Sequence, residues 1–188
     1  MRVEWIVVAV LAAAALYAIV VFNRLIRLRN LVREGWSGID VQLKRRSDLI
    51  PNLVETVRAY ASHERTLFEE VVEKRNAALH AMRVADKDGA ERALQGSLGR
   101  LLALAEAYPD LKANQNFLKL QDQLSELEDH LQMARRYYNG AVRDYNIDIQ
   151  SFPDVLVARF TGFREEPFFQ IDAAEAARPD VRFEGRAP

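Results

Sequence analysis

The chain has no cysteine among its 188 residues. That excludes disulfides, thiolate nucleophiles and cysteine metal sites, and it fits a reducing compartment. Glycine numbers only 8 and proline 6, and strand-like alternation is hard to find before residue 150, so the body is expected to be all helical. Nor is there a basic excess: 26 lysines and arginines stand against 27 acids, for a formal net charge of -1. A nucleic-acid surface is therefore not expected. One stretch lacks charge altogether, the 18 residues WIVVAVLAAAALYAIVVF from Trp5 to Phe22.

As a helix this stretch rises about 27 Å, close to the roughly 30 Å hydrocarbon thickness of a bilayer. Trp5 sits where an interface anchor belongs. A core helix is usually shorter and carries a polar face, whereas this run is apolar all round. A cleaved signal peptide fits less well. The run continues past Ala12 to Ala15 with no polar segment before Phe22, and Arg2 is offset by Glu4. The reading is an uncleaved transmembrane helix. Arg24, Arg27, Arg29 and Arg33 follow it closely, and arginine prefers the cytoplasmic side. The N-terminus is thus expected outside and the body in the cytoplasm.

Beyond Asn23 the apolar residues step by three and four: Leu25, Leu28, Val32, Trp36, Ile39, Leu43, then Ile50, Leu53, Val57 and Ala61. Gly35 and Gly38 are either weak points in this helix or places for a close helix contact beside Trp36. Pro51 predicts either a kink or a complete turn, with Asp48 as N-cap of a new helix. Ser62 is a candidate N-cap for the next stripe, Leu67, Val71, Ala78 and Met82. Val84 to Gly89 reads as a loop, and Asp88 with Glu91 resembles a capping box. A helix with Leu94, Leu98, Leu101, Leu102 and Ala105 stops at Tyr108-Pro109, and Asp110 or Asn114 restarts the chain. Such short connections imply antiparallel neighbours. The longest pattern runs from Phe117 through Leu120, Leu124, Leu127, Leu131, Ala134, Tyr138, Val142, Tyr145 and Ile149 to Phe152. It is a coiled-coil-like seam with one stutter. Pro153 ends it, residues 154 to 163 predict one more short helix, and the remainder reads as an extended tail.

Site chemistry is sparse. His63-Glu64-Arg65-Thr66-Leu67 begins like a zinc-protease helix but lacks the second ligand. No histidine has a glutamate three residues before it, as di-iron bundles need. Gly96-Ser97-Leu98-Gly99 lacks the spacing of a nucleophile elbow, and there is no phosphate loop. Glu69 and Glu73 read as a solvated helix face. No enzyme activity, cofactor, metal or small-molecule substrate is expected.

Three clusters stand out. In the first, Trp36 to Asp48, the triplet Lys44, Arg45 and Arg46 can meet acidic lipids or an acidic partner. Against this, Lys44 lies about 30 Å of straight helix beyond Phe22, well past a Debye length of about 8 Å. Internal pairing with Asp40 and Asp48 at four-residue spacing is the competing reading. The second cluster, Glu106 to Asn114, reads as an interhelical turn with caps. In the third, Arg135, Arg136 and Asn139 are followed by Asn146, beside the seam residues Tyr138, Val142 and Tyr145. This polar face is either a set of buried partners that fix helix register or an exposed recognition patch. Arg135 is expected to pair with Asp40 or Asp48. Arg136, about 100° further round the helix, is expected to face outward.

The strings WSGIDVQLKRRSDLIPNLVETV, EAYPDLKAN and ARRYYN resemble the LemA family of bacterial membrane proteins, and the resemblance covers about Phe22 to Phe163. It implies an N-terminal anchor and an antiparallel four-helix bundle, which with the reading of the residues gives a transmembrane anchor (residues 1–23), a bundle with long helices (24–163) and an extended C-terminal tail (164–188). It also implies a full turn between Ser47 and Glu64 and a place in the bacterial inner membrane. The family has no established catalytic activity, and some similar proteins are associated with building internal bacterial membranes. The expected function is a single-pass membrane-anchored scaffold acting through self-association, as a homo-oligomer, or through a protein partner. The alternative is a membrane-surface module that shapes or senses lipid bilayers.

Overall fold

A computed structural model of the protein describes residues 2–169. Among the described residues every regular element is a helix. The first, α1, runs from Arg2 to Arg58, 57 residues, or about 85 Å. Its N-terminal third is long and apolar enough to cross a membrane, by length and composition. Most of it is uncovered by the rest of the described residues: Trp5 is 72%, Leu11 64% and Val20 65% exposed.

From Val21 onward the same helix turns one stripe inward. Val21, Leu25, Val32, Gly35, Ile39, Leu43, Arg46, Ile50, Leu53 and Val57 are all buried, at the three-four spacing of a packed seam. Gly35 is a point of close approach. A Cβ built there would lie 3.0 Å from Tyr138 Cα and 3.2 Å from Tyr137 Cδ1. Gly35 therefore allows the close contact beside Trp36, whereas a Cβ at Gly38 would meet nothing within 4 Å.

Pro51 neither opens a new helix nor ends the old one, because α1 continues through it to Arg58. Asp48 is thus an interior residue and not an N-cap. Proline has no N–H to give the carbonyl four residues back, so Ser47 O loses its helical donor. Arg75 replaces it, its Nε–H donating to Ser47 O at 2.7 Å. Arg75→Ala should therefore cost about 1–3 kcal/mol by leaving a mostly buried carbonyl unsatisfied. In a Pro51→Ala background the alanine amide takes over and the cost should shrink. A double-mutant cycle by chemical denaturation checks this; additive effects would mean the two residues do not share that carbonyl.

The chain turns after Arg58, within the interval between Ser47 and Glu64 that the family resemblance implied. Three more helices follow: α2 (Arg65–His80), α3 (Val84–Glu106) and the short α4 (Pro109–Lys112). Ser62 caps nothing. The N-cap of α2 is Glu64, which makes no side-chain capping bond. The expected loop from Val84 to Gly89 is the first turns of α3. Asp88 and Glu91 form no capping box because both are buried within that helix. Asp88 instead accepts from Arg92 Nη2 at 2.8 Å, and Glu91 faces α1. Tyr108-Pro109 does separate two elements, and Asn114 does restart the chain. Its Oδ1 accepts from the amides of Asn116 (2.9 Å) and Phe117 (3.2 Å), opening α5 (Gln115–Gln150). Beyond Pro153 lies α6 (Asp154–Thr161), closed by Gly162 in the left-handed region at φ 77°.

Partner numbers climb on α5 as they fall on α1. Tyr60 meets Asn114, Arg46 meets Glu128, Gly35 abuts Tyr138 and Arg24 meets Asp148. The buried side chains divide into two cores. The distal one joins Ile50, Leu53 and Val57 of α1 to Phe68 and Val71 of α2, Leu94 and Leu101 of α3 and Phe117 of α5. The proximal one joins Leu25, Val32, Ile39 and Leu43 of α1 to Tyr138, Val142 and Tyr145 of α5, with Ala158 and Phe169. The proximal half thus has two long helices where the distal half has four, and other elements must cover the seam.

Candidate functional site

Between the two cores lies a layer of buried charge. Arg46 falls on the inward stripe of α1, between Leu43 and Ile50, so its guanidinium enters the interior. It is 4% exposed and pairs with Glu91 of α3, itself 2% exposed. Its Nη1 also reaches Glu128 of α5 at 3.1 Å. Arg135 Nη1 stands 4.0 Å from the other oxygen of Glu128. Three helices are therefore tied at one level by two arginines and two glutamates.

The seam of the proximal core is covered by residues 163–169, an extended strap laid along α5. Two asparagines bind its backbone like a strand partner would. Asn146 Nδ2 donates to Glu166 O at 2.9 Å, and its Oδ1 accepts from Glu166 N at 3.0 Å. Asn139 repeats the pattern on Phe169, at 2.8 and 3.0 Å. Tyr145 and Tyr138 add hydroxyl bonds to the carbonyls of Arg164 (2.9 Å) and Pro167 (2.7 Å). The spacing explains the match: seven helical residues rise about 10.5 Å, and three extended residues span about 10 Å. So 139 and 146 address 169 and 166, while 138 and 145 address 167 and 164. The ends of the strap are aromatic. Phe169 is fully buried against Trp36, ring centroids 5.6 Å apart, under the Arg135 guanidinium at 5.2 Å. Phe163 packs on Phe22 at 5.7 Å, with Arg29 over its ring at 4.9 Å.

Covering the seam changes the acidity of its tyrosines. Burial, with the Glu166 carboxylate nearby, pushes Tyr138 up to about 12. Burial likewise raises Tyr145. The unfolded phenol ionises near 10, so the unfolded state loses its proton first. The Tyr138 contribution is fully present below about pH 10 and is lost as pH rises toward 12. Alkaline titration of unfolding should show a loss on the order of 2 kcal/mol over that window, which Tyr138→Phe should reduce. An identical profile in the phenylalanine variant would remove Tyr138 from the account.

The residues singled out in the sequence fall into three environments. Trp36, Arg135, Asn139 and Asn146 gather at the strap. The expected pairing of Arg135 with Asp40 or Asp48 is not formed, because both acids point away from the seam. Asp40 instead takes Lys87 Nζ at 2.5 Å, and Asp48 takes Lys44 Nζ at 3.1 Å, one turn away. Lys44–Asp48 is thus the one internal pair of the first cluster that forms as read. Arg46 leaves the surface triplet for the interior. Arg45 stays exposed and lines an open cleft with Asp48, Glu126 and His130. Arg136 is exposed, as read. Ser97, of the Gly-Ser-Leu-Gly string, is buried and donates to Leu94 O at 2.8 Å. Among the described residues no group of three or more histidines and acids is placed to hold a metal.

A further ionic group sits at the end of the body next to the apolar run. Tyr17 OH donates to Asp154 Oδ1 at 2.6 Å. Arg24 pairs with Asp154 and, through Nε at 2.9 Å, with Asp148. Sequence reasoning missed this group, Glu91 and Glu128. The one available signal was Arg46 itself, at a core position of a three-four stripe, where a charge requires a buried acid on another helix.

Curated proteins similar to this chain include magnetosome proteins and a LemA protein. The magnetosome protein MamQ 2 of Paramagnetospirillum magneticum is 27% identical over 192 residues, covering 87% of this chain and 71% of the relative. The magnetosome protein MamQ of Magnetospirillum gryphiswaldense is 24% identical, covering 79% of this chain and 64% of the relative. Protein LemA of Metamycoplasma hominis is 27% identical, covering 85% and 72%. A family model described as the LemA family matches residues 35–183, taking in the charge layer and the strap. The chain belongs to the LemA family.

Proposed function

We propose that this chain is a single-pass, membrane-anchored helical scaffold. On this reading residues 1–23 span the inner membrane with the N-terminus outside. Residues 24–163 form an antiparallel four-helix bundle in the cytoplasm, and the C-terminal tail begins with the strap. The observation that carries the proposal is the continuity of α1. One helix holds both the apolar run and a face of both cores, so the anchor and the body move as one rigid piece. The order of contacts along α1 and α5 supports the antiparallel arrangement, and the arginines after Phe22 support the orientation. The similarity to magnetosome proteins supports work at a bacterial membrane. The scaffold acts by self-association or through a protein partner, and it is not an enzyme.

The half-exposed side chains Val41, Met133 and Tyr137, with Arg136 beside them, supply a surface for that association. In-cell crosslinking should capture the protein in a specific assembly that survives high salt, and Arg136→Ala should weaken it without lowering the melting temperature. A monomer at every concentration, with no crosslinked partner, contradicts the scaffold. A reporter active only outside the cytoplasm, fused after Pro188, should be silent; activity there reverses the orientation.

A further inference from the structure

The helix α6 lies across α1 and not along it. At its start, Asp154 holds Tyr17 and Arg24. From its third residue to its last, Leu156, Val157, Phe160 and Thr161 line one apolar cleft with Ala18, Ile19 and Phe22. Both ends of an eight-residue helix, about 12 Å long, thus address the same two turns of α1. Those turns are the last of the charge-free run. If α1 crosses a bilayer roughly along its normal, α6 lies nearly in the membrane plane, within about 5 Å of the end of the hydrocarbon.

The outward face of α6 is not built for water. Phe152 is 82% exposed, Leu156 60% and Phe160 93%. Leu156 and Phe160 are spaced by four within α6, so they form one stripe on the side away from the buried Asp154 and Ala158; Phe152 lies two residues before the helix. The stripe is continuous with the exposed apolar surface of the span through Ile19 and Phe22. Arg27 and Arg159 are exposed near the same level, where lipid phosphates lie. Two exposed phenylalanines and a leucine, continuous with a span and bordered by cations, match the face of an in-plane interfacial helix, which buries its apolar side about 5–10 Å into the boundary.

We infer that α6 is a membrane-interface helix whose Leu156–Phe160 stripe, with Phe152 just before it, inserts among the acyl chains of the leaflet next to the body. The ion pairs of Asp154 hold it there as a collar on the span. This rests on the membrane-anchored reading above and adds lipid as the partner of a defined surface.

Because the chain has no cysteine, single labels are unambiguous. F160C, L156C, V10C in mid-span and M82C, 89% exposed and far from the span, would each carry an environment-sensitive fluorophore. The full chain is placed in phosphatidylethanolamine–phosphatidylglycerol vesicles. F160C and L156C should resemble V10C: several-fold less quenching by iodide than M82C, and strong quenching by brominated acyl chains. If V10C is shielded but F160C and L156C are as open to iodide as M82C, the interfacial helix is wrong and the anchor stands. If V10C is open too, the anchor itself fails. If F160C is shielded from iodide, unaffected by brominated lipid and exposed on dilution into more lipid, a second copy covers α6 and the inference is overturned.

Discussion

Arg46→Ala should destabilise the body by about 3–5 kcal/mol, because it strands the Glu91 carboxylate where water cannot reach it. Glu91 is 2% exposed and Arg46 4%. Glu128, two-thirds buried by side chain, loses one of its two arginines as well. For a domain of this size such a loss lowers the melting temperature by roughly 10 °C or more. Arg136→Ala, on the exposed face of α5, should change it little, as exposed arginines contribute about 0–1 kcal/mol. The informative companion is Arg46→Met with Glu91→Leu. Taking out both charges for apolar side chains of similar volume leaves no stranded ion, and such replacements are often neutral or stabilising by about 1–4 kcal/mol. Circular dichroism of the detergent-solubilised chain measures all three. Equal melting of Arg46→Ala and the parent would mean that Glu91 finds water or another cation, and that the layer does not join the helices as drawn.

The second large effect is local. Phe169→Ala should release the strap while leaving the helices folded. A buried phenylalanine cut to alanine loses about 3–5 kcal/mol. Here that loss falls on one peripheral segment, so it appears as opening of the strap before global unfolding. Trypsin should then cut quickly after Arg164, whose side chain is exposed but whose carbonyl is held by Tyr145. Amide exchange at Glu166, bonded to Asn146 Oδ1, should accelerate by about 100-fold for each 3 kcal/mol lost. The melting temperature should fall less than in Arg46→Ala. Unchanged cleavage and exchange would show that the two asparagine clamps hold the strap without its aromatic end.

Helix faces were legible in the sequence wherever apolar residues repeat at three and four, because burial of a stripe needs little tertiary information. The seam of α5 follows from that pattern alone, and of the two restart candidates, Asp110 and Asn114, it is Asn114 that caps α5. The failures share a cause. Pro51 reads locally as a kink or a full turn, and the full turn is not made there: α1 runs on, and the carbonyl that proline orphans is answered by Arg75 from another helix. Asp88 and Glu91 have the local form of a capping box, but Arg46, 45 residues earlier, draws Glu91 into the interior. In both places a long-range charge or donor overrides local propensity. The asparagines beside the seam are polar residues that apolar packing does not explain. Their partner is a backbone, and a backbone leaves no mark in sequence; only the seven-residue spacing of Asn139 and Asn146, matched to three extended residues, carries a trace of it.

If the apolar run spans a bilayer as proposed, the unbroken α1 also makes the molecule a lever. About 36 residues, or 54 Å, project beyond Phe22 on the same axis as the apolar run. A span tilts to fit the thickness of its bilayer, by about 20° on average. Tilting α1 by that angle carries Arg58 roughly 18 Å sideways, almost two helix diameters. A change in bilayer thickness of a few ångströms is thereby amplified into a large lateral displacement of the distal core. Two such molecules side by side would have their far ends drawn together or parted by the membrane beneath them.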